Sequence, residues 1–170
     1  MLILSARIIS ALTKSASLVQ VTTTEDPLAL DRQVCFALAV ANRAVLSVYR
    51  PLLEPMGLTH PQYLVMLALW GESPMSVKAI GSALQLDSPT LSPLLKRLES
   101  MGLLTRTRSA EDERVLLVAL TPAGAALRSR AEKIPPAVVE KLGASLAELD
   151  DLRRVLTRVN DAAIAAGALS

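Results

Sequence analysis

One thiol and one imidazole are the side chains of this sequence most able to do chemistry: Cys35 is its single cysteine and His60 its single histidine in 170 residues. A lone cysteine excludes an intrachain disulfide, and one cysteine with one histidine cannot assemble a Cys/His zinc site within the chain. Neither a metal nor a cofactor is expected. What a single thiol can do is react once ionised. Toward a peroxide it forms a sulfenic acid, which is then capped by a low-molecular-weight thiol as a mixed disulfide or is overoxidised. The competing reading is that Cys35, between Val34 and Phe36, is core filler, the commoner fate of a free cysteine in an apolar helix. Tyr49 follows on what reads as the same helix. One straight helix separates the two by about 21 Å at 1.5 Å per residue, so they cannot meet within one chain.

Enzymatic use of these groups is not expected. His60 has no acid near it in sequence to complete a Ser/His/Asp set, and Gln33-Val34-Cys35 lacks the T-x-x-C neighbourhood of a thiol peroxidase.

The elements that must position Cys35 follow from composition and punctuation. Hydrophobic residues make up 51% and aromatics 2%, so the apolar content is mainly Leu, Ala and Val, which favours helices. Asp26-Pro27 predicts a helix start and a long first helix to about Tyr49, before Pro51 disturbs it, with a short helical stretch over Leu52 to Met56. Thr59-His60-Pro61-Gln62 has the form of a capping box opening the run Tyr63 to Trp70. Ser145 and Glu148 offer another, opening a last helix whose Leu149, Leu152, Leu156, Val159 and Ala163 form a narrow apolar seam. That seam can pack on its own domain or on a second subunit. The first 21 residues read as an extension, because Arg7 interrupts their apolar stretch and no positive cluster precedes it. No other run reaches the roughly 18 uncharged apolar residues of a membrane span, so the expectation is a cytoplasmic protein with no membrane partner.

Residues 76–104 carry the most informative spacing. A short helix, Val77 to Leu84, is followed by the turn Gln85-Leu86-Asp87 and a second helix that Ser88 caps with Pro89 behind it, the punctuation of a helix-turn-helix. Leu91, Leu94, Leu95 and Leu98 make its buried stripe and leave Ser88, Thr90, Ser92 and Lys96 for a nucleic acid: short hydroxyls for base edges or phosphates, the lysine for the backbone. The segments Leu103 to Ser109 and Val115 to Thr121 read as a β-hairpin, a wing, with Arg106 and Arg108 on one strand face and Arg114 near its tip. The net charge of +2 is too mild to demand DNA. The local balance is not mild, because residues 88–110 hold four basic side chains against one acid. The partner expected is double-stranded DNA.

Three stretches, LTHPQYLVMLALW, LDSPTLSPLLKRLESMGLLTRTRSAEDERVLLVALTPAG and CFALAVANRAV with YRPLLEPMGL, resemble the MarR family of winged-helix repressors. They are most similar to its organic-hydroperoxide-sensing, OhrR-type branch. The likeness covers roughly Leu30 to Leu127, and the D-x-R of Asp112 and Arg114 is part of it. The resemblance implies a mainly α fold: a winged helix-turn-helix with long N- and C-terminal dimerisation helices and a two-stranded β-wing. It implies a homodimer on operator DNA, with Cys35 at the sensing position and organic hydroperoxide as the signal. It also implies that the hydroxyl of Tyr49 bonds the thiolate of the other subunit. Two departures stand out. Ala39 occupies a position where many relatives carry tyrosine, and His60 stands where another tyrosine precedes PQY. His60 could serve there as a donor, and as a cation could lower the thiol pKa; its other reading is a solvent-facing helix start. Arg32, one turn before Cys35, is a second source of positive potential.

The organisation expected is an extension over 1–25, dimerisation and sensing helices over 26–58, a winged helix-turn-helix over 59–121 and C-terminal dimerisation helices over 122–170. The alternative function is a MarR-type repressor that answers to a small amphipathic ligand, with Cys35 structural.

Overall fold

A computed structural model describes residues 26–168, so the expected extension over 1–25 lies outside the described residues. By internal contacts the described residues form two units, divided between Val40 and Ala41.

In the first unit the α-helix starts later than Asp26-Pro27 predicts. The Asp26 carboxylate accepts from the Leu28 N–H at 2.9 Å, closing an Asx turn where a helix cap was expected. The Gln33 amide then donates to the Pro27 and Ala29 carbonyls around a 3₁₀ turn, Leu30–Arg32. Helix α1, Val34–Leu53, follows. It does not stop at Tyr49: it runs through Pro51, and its last residue, Leu53, is buried. A proline in the last turn removes one hydrogen bond but leaves little helix beyond it to break.

The stretch Val34–Met56 is long and apolar enough to cross a membrane, with mean hydropathy 1.2, which the sequence expectation did not anticipate. It carries Arg43 and Arg50, and its far end, Leu53 and Met56, belongs to the protein core.

The second unit is built around a leucine-rich core. Helix α2, His60–Gly71, begins with the expected capping box of Thr59 and Gln62 and buries Tyr63, Val65, Met66 and Leu69. Strand β1, Met75–Ser76, leads into α3, Val77–Leu84, which Ser76 caps through the Ala79 N–H. Gln85 then turns the chain in the left-handed region, φ 53°, and α4, Ser88–Ser100, follows. The cap of α4 is Asp87 rather than Ser88: its carboxylate accepts from the Thr90 N–H at 2.9 Å. Proline is tolerated at either of the first two helical positions because their N–H groups have no helical partner, and here it stands second.

Strands β2, Leu104–Arg108, and β3, Leu116–Leu120, form the predicted hairpin, with Arg106 opposite Val118. The sheet is three-stranded rather than two-stranded, because β1 pairs with β3 through Met75 and Val118. Two residues are too few to show any alternation, so this strand has no sequence signature.

Short helices α5, Pro122–Ala126, α6, Arg128–Ala131, and α7, Ile134–Leu142, lead to α8, Leu146–Ala165. The predicted Ser145/Glu148 capping box opens α8. Its seam faces solvent: Leu152 is 51% exposed, and Val155, Leu156, Val159 and Ile164 are exposed as well.

Gly124 is the tightest point of the wing base. A Cβ added there would stand 1.9 Å from the Leu103 carbonyl oxygen, a clash with backbone that no rotamer relieves. Gly124→Ala is expected to cost about 3 kcal/mol or more, the upper end for overpacking. Urea unfolding checks this, and a loss below about 0.5 kcal/mol would mean that the wing base yields freely.

Candidate nucleic-acid interface and thiol site

The leucine stripe decides which face of α4 meets solvent. Leu91, Leu95 and Leu98 are each 1% exposed or less, so Ser88, Thr90, Ser92 and Lys96 lie on the exposed side, as their spacing predicts. Their hydrogen-bonding states differ. The Ser92 hydroxyl donates to the Ser88 carbonyl at 2.7 Å and keeps only its acceptor capacity, whereas Thr90 is held by its backbone N–H at the Asp87 cap.

Beside the start of α4 lies an open cleft of about 1120 Å³, lined by Lys78, Asp87, Ser88, Thr90 and Arg114 over an apolar floor that includes Leu86 and Leu116. Lys78 is exposed at its edge and is a basic residue that the sequence reading missed. The charge count began at residue 88, although an exposed lysine one residue into α3 lies within the same helix-turn-helix.

The wing arginines do not share one role. Arg106 turns inward, and its guanidinium donates to Glu99 from both Nε at 3.0 Å and Nη2 at 2.5 Å. That pairing holds the Glu99 carboxyl below its ordinary range, through the hydrogen bond first and the charge second. Arg106 thus ties β2 to α4 and is not turned toward a ligand, contrary to expectation. Arg108 is exposed and donates to the Glu113 carbonyl at 2.5 Å. Asp112 shapes the wing tip: its carboxylate accepts from the Arg114 N–H at 3.0 Å, and its carbonyl accepts from the Val115 N–H. The Arg114 side chain is exposed.

Cys35 is exposed in the first turn of α1. It is not filler of its own chain's core. Its neighbours Val34, Phe36, Leu38 and Val40 are exposed too, Val34 at 69%. Tyr49, near the other end of α1, is half-buried and meets the ring of His60 edge-on, with centroids 5.1 Å apart. His60 is therefore packed rather than solvent-facing. Burial holds its imidazole below the ordinary 6.5 by disfavouring the charged form. The neutral ring keeps one N–H to donate, and the cationic role is disfavoured at neutral pH. Among the described residues, no three His, Cys, Asp or Glu side chains stand close enough to hold a metal ion.

Comparison with known proteins agrees with this geometry. Residues 47–130 match the family model described as transcriptional regulator SarA/Rot. The organic hydroperoxide resistance transcriptional regulator of Bacillus subtilis is 44% identical over 130 residues, 76% of this chain and 86% of that protein. The chain belongs to the MarR family of transcriptional regulators. A second relative, TtmR of Methylorubrum extorquens, is 45% identical over 81% of this chain and 70% of its own length. The solved structure of reduced AbfR bound to DNA superposes with a TM-score of 0.69 at 33% identity, covering 82% of this chain and 95% of that one. MarR-family proteins of this kind are DNA-binding regulators, not enzymes, and the winged helix-turn-helix is the part that fits DNA.

A histidine whose pKa falls on folding is protonated first in the unfolded chain. Its contribution to stability is therefore intact above pH 6.5 and is lost as pH drops through the window below that value. The melting temperature of the wild type should fall more between pH 7 and pH 5 than that of His60→Phe, which keeps a ring against Tyr49. Equal falls in the two proteins would remove the burial of His60 as the cause.

Proposed function

We propose that this MarR-family protein is a redox-sensing repressor: a cytoplasmic homodimer that holds operator DNA while Cys35 is reduced and releases it when organic hydroperoxide oxidises the thiol. The observation that carries this reading is the exposure of the lone Cys35 on an apolar helix face that its own chain leaves uncovered. The name of the relative that is 44% identical, an organic hydroperoxide resistance regulator, supplies the class of signal.

Exposed aliphatic side chains support the dimer. Half of α1 and most of α8 expose aliphatic side chains, and each such side chain gains about 1.5–3 kcal/mol on burial. Two copies burying these faces against each other would bring one copy's Cys35 within reach of the Tyr49 or His60 of the second. Their recognition helices would then enter successive major grooves, about 34 Å apart. Ser88, Thr90 and Ser92 are assigned to base edges and phosphates, Lys96 and Lys78 to the backbone, and Arg108 and Arg114 to the minor groove, with Asp112 setting the wing tip.

The chemistry balances without a cofactor. The Cys35 thiolate attacks one peroxide oxygen and the O–O bond breaks. The alkoxide leaves and takes up a proton, so the sulfur is oxidised to sulfenic acid and the peroxide is reduced to an alcohol. A low-molecular-weight thiol then displaces water to give a mixed disulfide. The capped side chain no longer fits its packed face, which shifts the two recognition helices out of register. The alternative, an amphipathic ligand with Cys35 inert, draws support from the cleft between α3 and the wing.

Operator titrations separate the two readings. Cys35→Ser should bind DNA as tightly as the wild type and stay bound when cumene hydroperoxide is added. Dissociation at the same peroxide concentration as the wild type would transfer the function to the ligand reading. Lys96→Ala should weaken binding to all sequences alike and flatten the salt dependence by about one unit of slope. An unchanged slope would take Lys96 away from the phosphates.

A further inference from the structure

The chain contains four aromatic residues of the Phe, Tyr and Trp type, and three of them stand in one column. Tyr63 and Trp70, two turns apart on α2, bring their ring centroids to 6.2 Å, and Tyr49 of α1 stands 6.2 Å from Tyr63 on the other side. These are ordinary distances for tilted and edge-on aromatic pairs. Leucine and alanine fill the rest of the core, so concentrating the rings along one line is a feature of this chain.

The column ends on Gly124 of α5, just after the wing. Trp70 Nε1 donates to the Gly124 carbonyl at 2.9 Å, and Gly124 is the residue with no room for a Cβ against Leu103. Around it, the Thr121 N–H donates to the Leu103 carbonyl at 3.1 Å and the Thr121 hydroxyl to the Gly102 carbonyl at 2.7 Å. The Leu120 N–H donates to the Ser73 hydroxyl at 3.0 Å. The entry to β2 and the exit from β3 are thus clamped to one another and to the end of α2, with Trp70 at the clamp.

We infer that Tyr49, Tyr63 and Trp70 form a mechanical relay, in which a displacement of Tyr49 reaches the wing base through the Trp70–Gly124 hydrogen bond, and that Tyr63 and Trp70 are positioning residues for DNA release. This rests on the redox reading above, in which Tyr49 answers to the second copy's Cys35. Packed interiors switch between discrete arrangements rather than deforming continuously, and the Trp70–Gly124 hydrogen bond joins the aromatic column to the wing base.

The test uses the full chain, a fluorescent operator duplex and cumene hydroperoxide, with the mass of Cys35 followed in parallel. Trp70→Phe keeps the ring and removes the N–H. Its reduced form should bind within about threefold of the wild type, while the ratio of reduced to oxidised affinity should shrink by about fivefold, within the range of measured couplings. A purely structural role would weaken both forms alike and leave the ratio unchanged, and that result would overturn the relay. Trp70 is also the single tryptophan, so its emission reports the clamp. In the wild type the emission should shift on oxidation. Tyr63→Phe should keep that shift and Tyr63→Leu should lose it, although Cys35 is still oxidised. A Tyr63→Leu protein that retains the full shift overturns the relay even where Trp70→Phe fails to fold. A wild-type protein whose Cys35 is oxidised and which still holds DNA overturns the redox reading and the relay with it. Release in the wild type with an unchanged ratio in Trp70→Phe overturns the relay alone.

Discussion

Burial of Leu91, Leu95 and Leu98 on one side of α4 is the constraint on which the DNA-facing surface depends. Each is essentially inaccessible, and at about 1.5–3 kcal/mol per buried leucine the three together outweigh the roughly 3 kcal/mol that an interior proline costs a helix. This is why α4 continues past Pro93 where propensity alone would break it. Once the stripe is fixed, the rotation of the helix is fixed, and Ser88, Thr90, Ser92 and Lys96 have no inward alternative. The Asp87 cap sets where the helix begins, and so which hydroxyls occupy its first exposed turn.

Wing and helix are joined by a mixture of forces of unequal size. The Arg106–Glu99 pair is geometrically close, yet both side chains are partly exposed, 27% and 36%. A pair in that setting contributes little, and less in salt. Leu98 of α4 and Leu104 of β2 lie in the same buried cluster and hold the two elements more firmly than the charges do. The ion pair adds direction: it points Arg106 back at α4, while Arg108 and Arg114 are exposed.

Period and punctuation made the helix-turn-helix, the hairpin, both capping boxes and the leucine stripe legible in the sequence, because each is set by neighbours a few residues apart. What was not legible depended on partners distant in sequence or on choices between adjacent residues. Strand β1 exists because Met75 meets Val118, and nothing local to Met75 signals it. The inward turn of Arg106 needed the position of Glu99 across the helix–strand junction. Asp87 and Ser88 are both good caps, and Pro89 is compatible with either, so only the folded backbone distinguishes them. The start of α1 was missed for a related reason: an aspartate before a proline closes an Asx turn as readily as it opens a helix, and Gln33 supplied the bonds that favoured the turn. The burial that holds the His60 imidazole below its ordinary range was not legible either.

The composition of α1 ties these observations to one another. A helix apolar enough to pass for a membrane span, yet ending in the protein core through Leu53 and Met56, exposes the apolar side chains of its first half. The seam of α8 exposes the same aliphatic chemistry, and the homodimer proposed above would cover both at once. In that proposed dimer the cover would also give Cys35 its sensitivity. A thiol in open solvent reacts without consequence for the fold, because nothing packs against it. A thiol at the edge of a closely packed aliphatic interface cannot gain an oxygen or a thiol adduct without displacing its neighbours, since such interfaces have no spare volume. With a single cysteine per chain, no intrachain disulfide can absorb an oxidation, so in the proposed mechanism the added volume itself would be the signal.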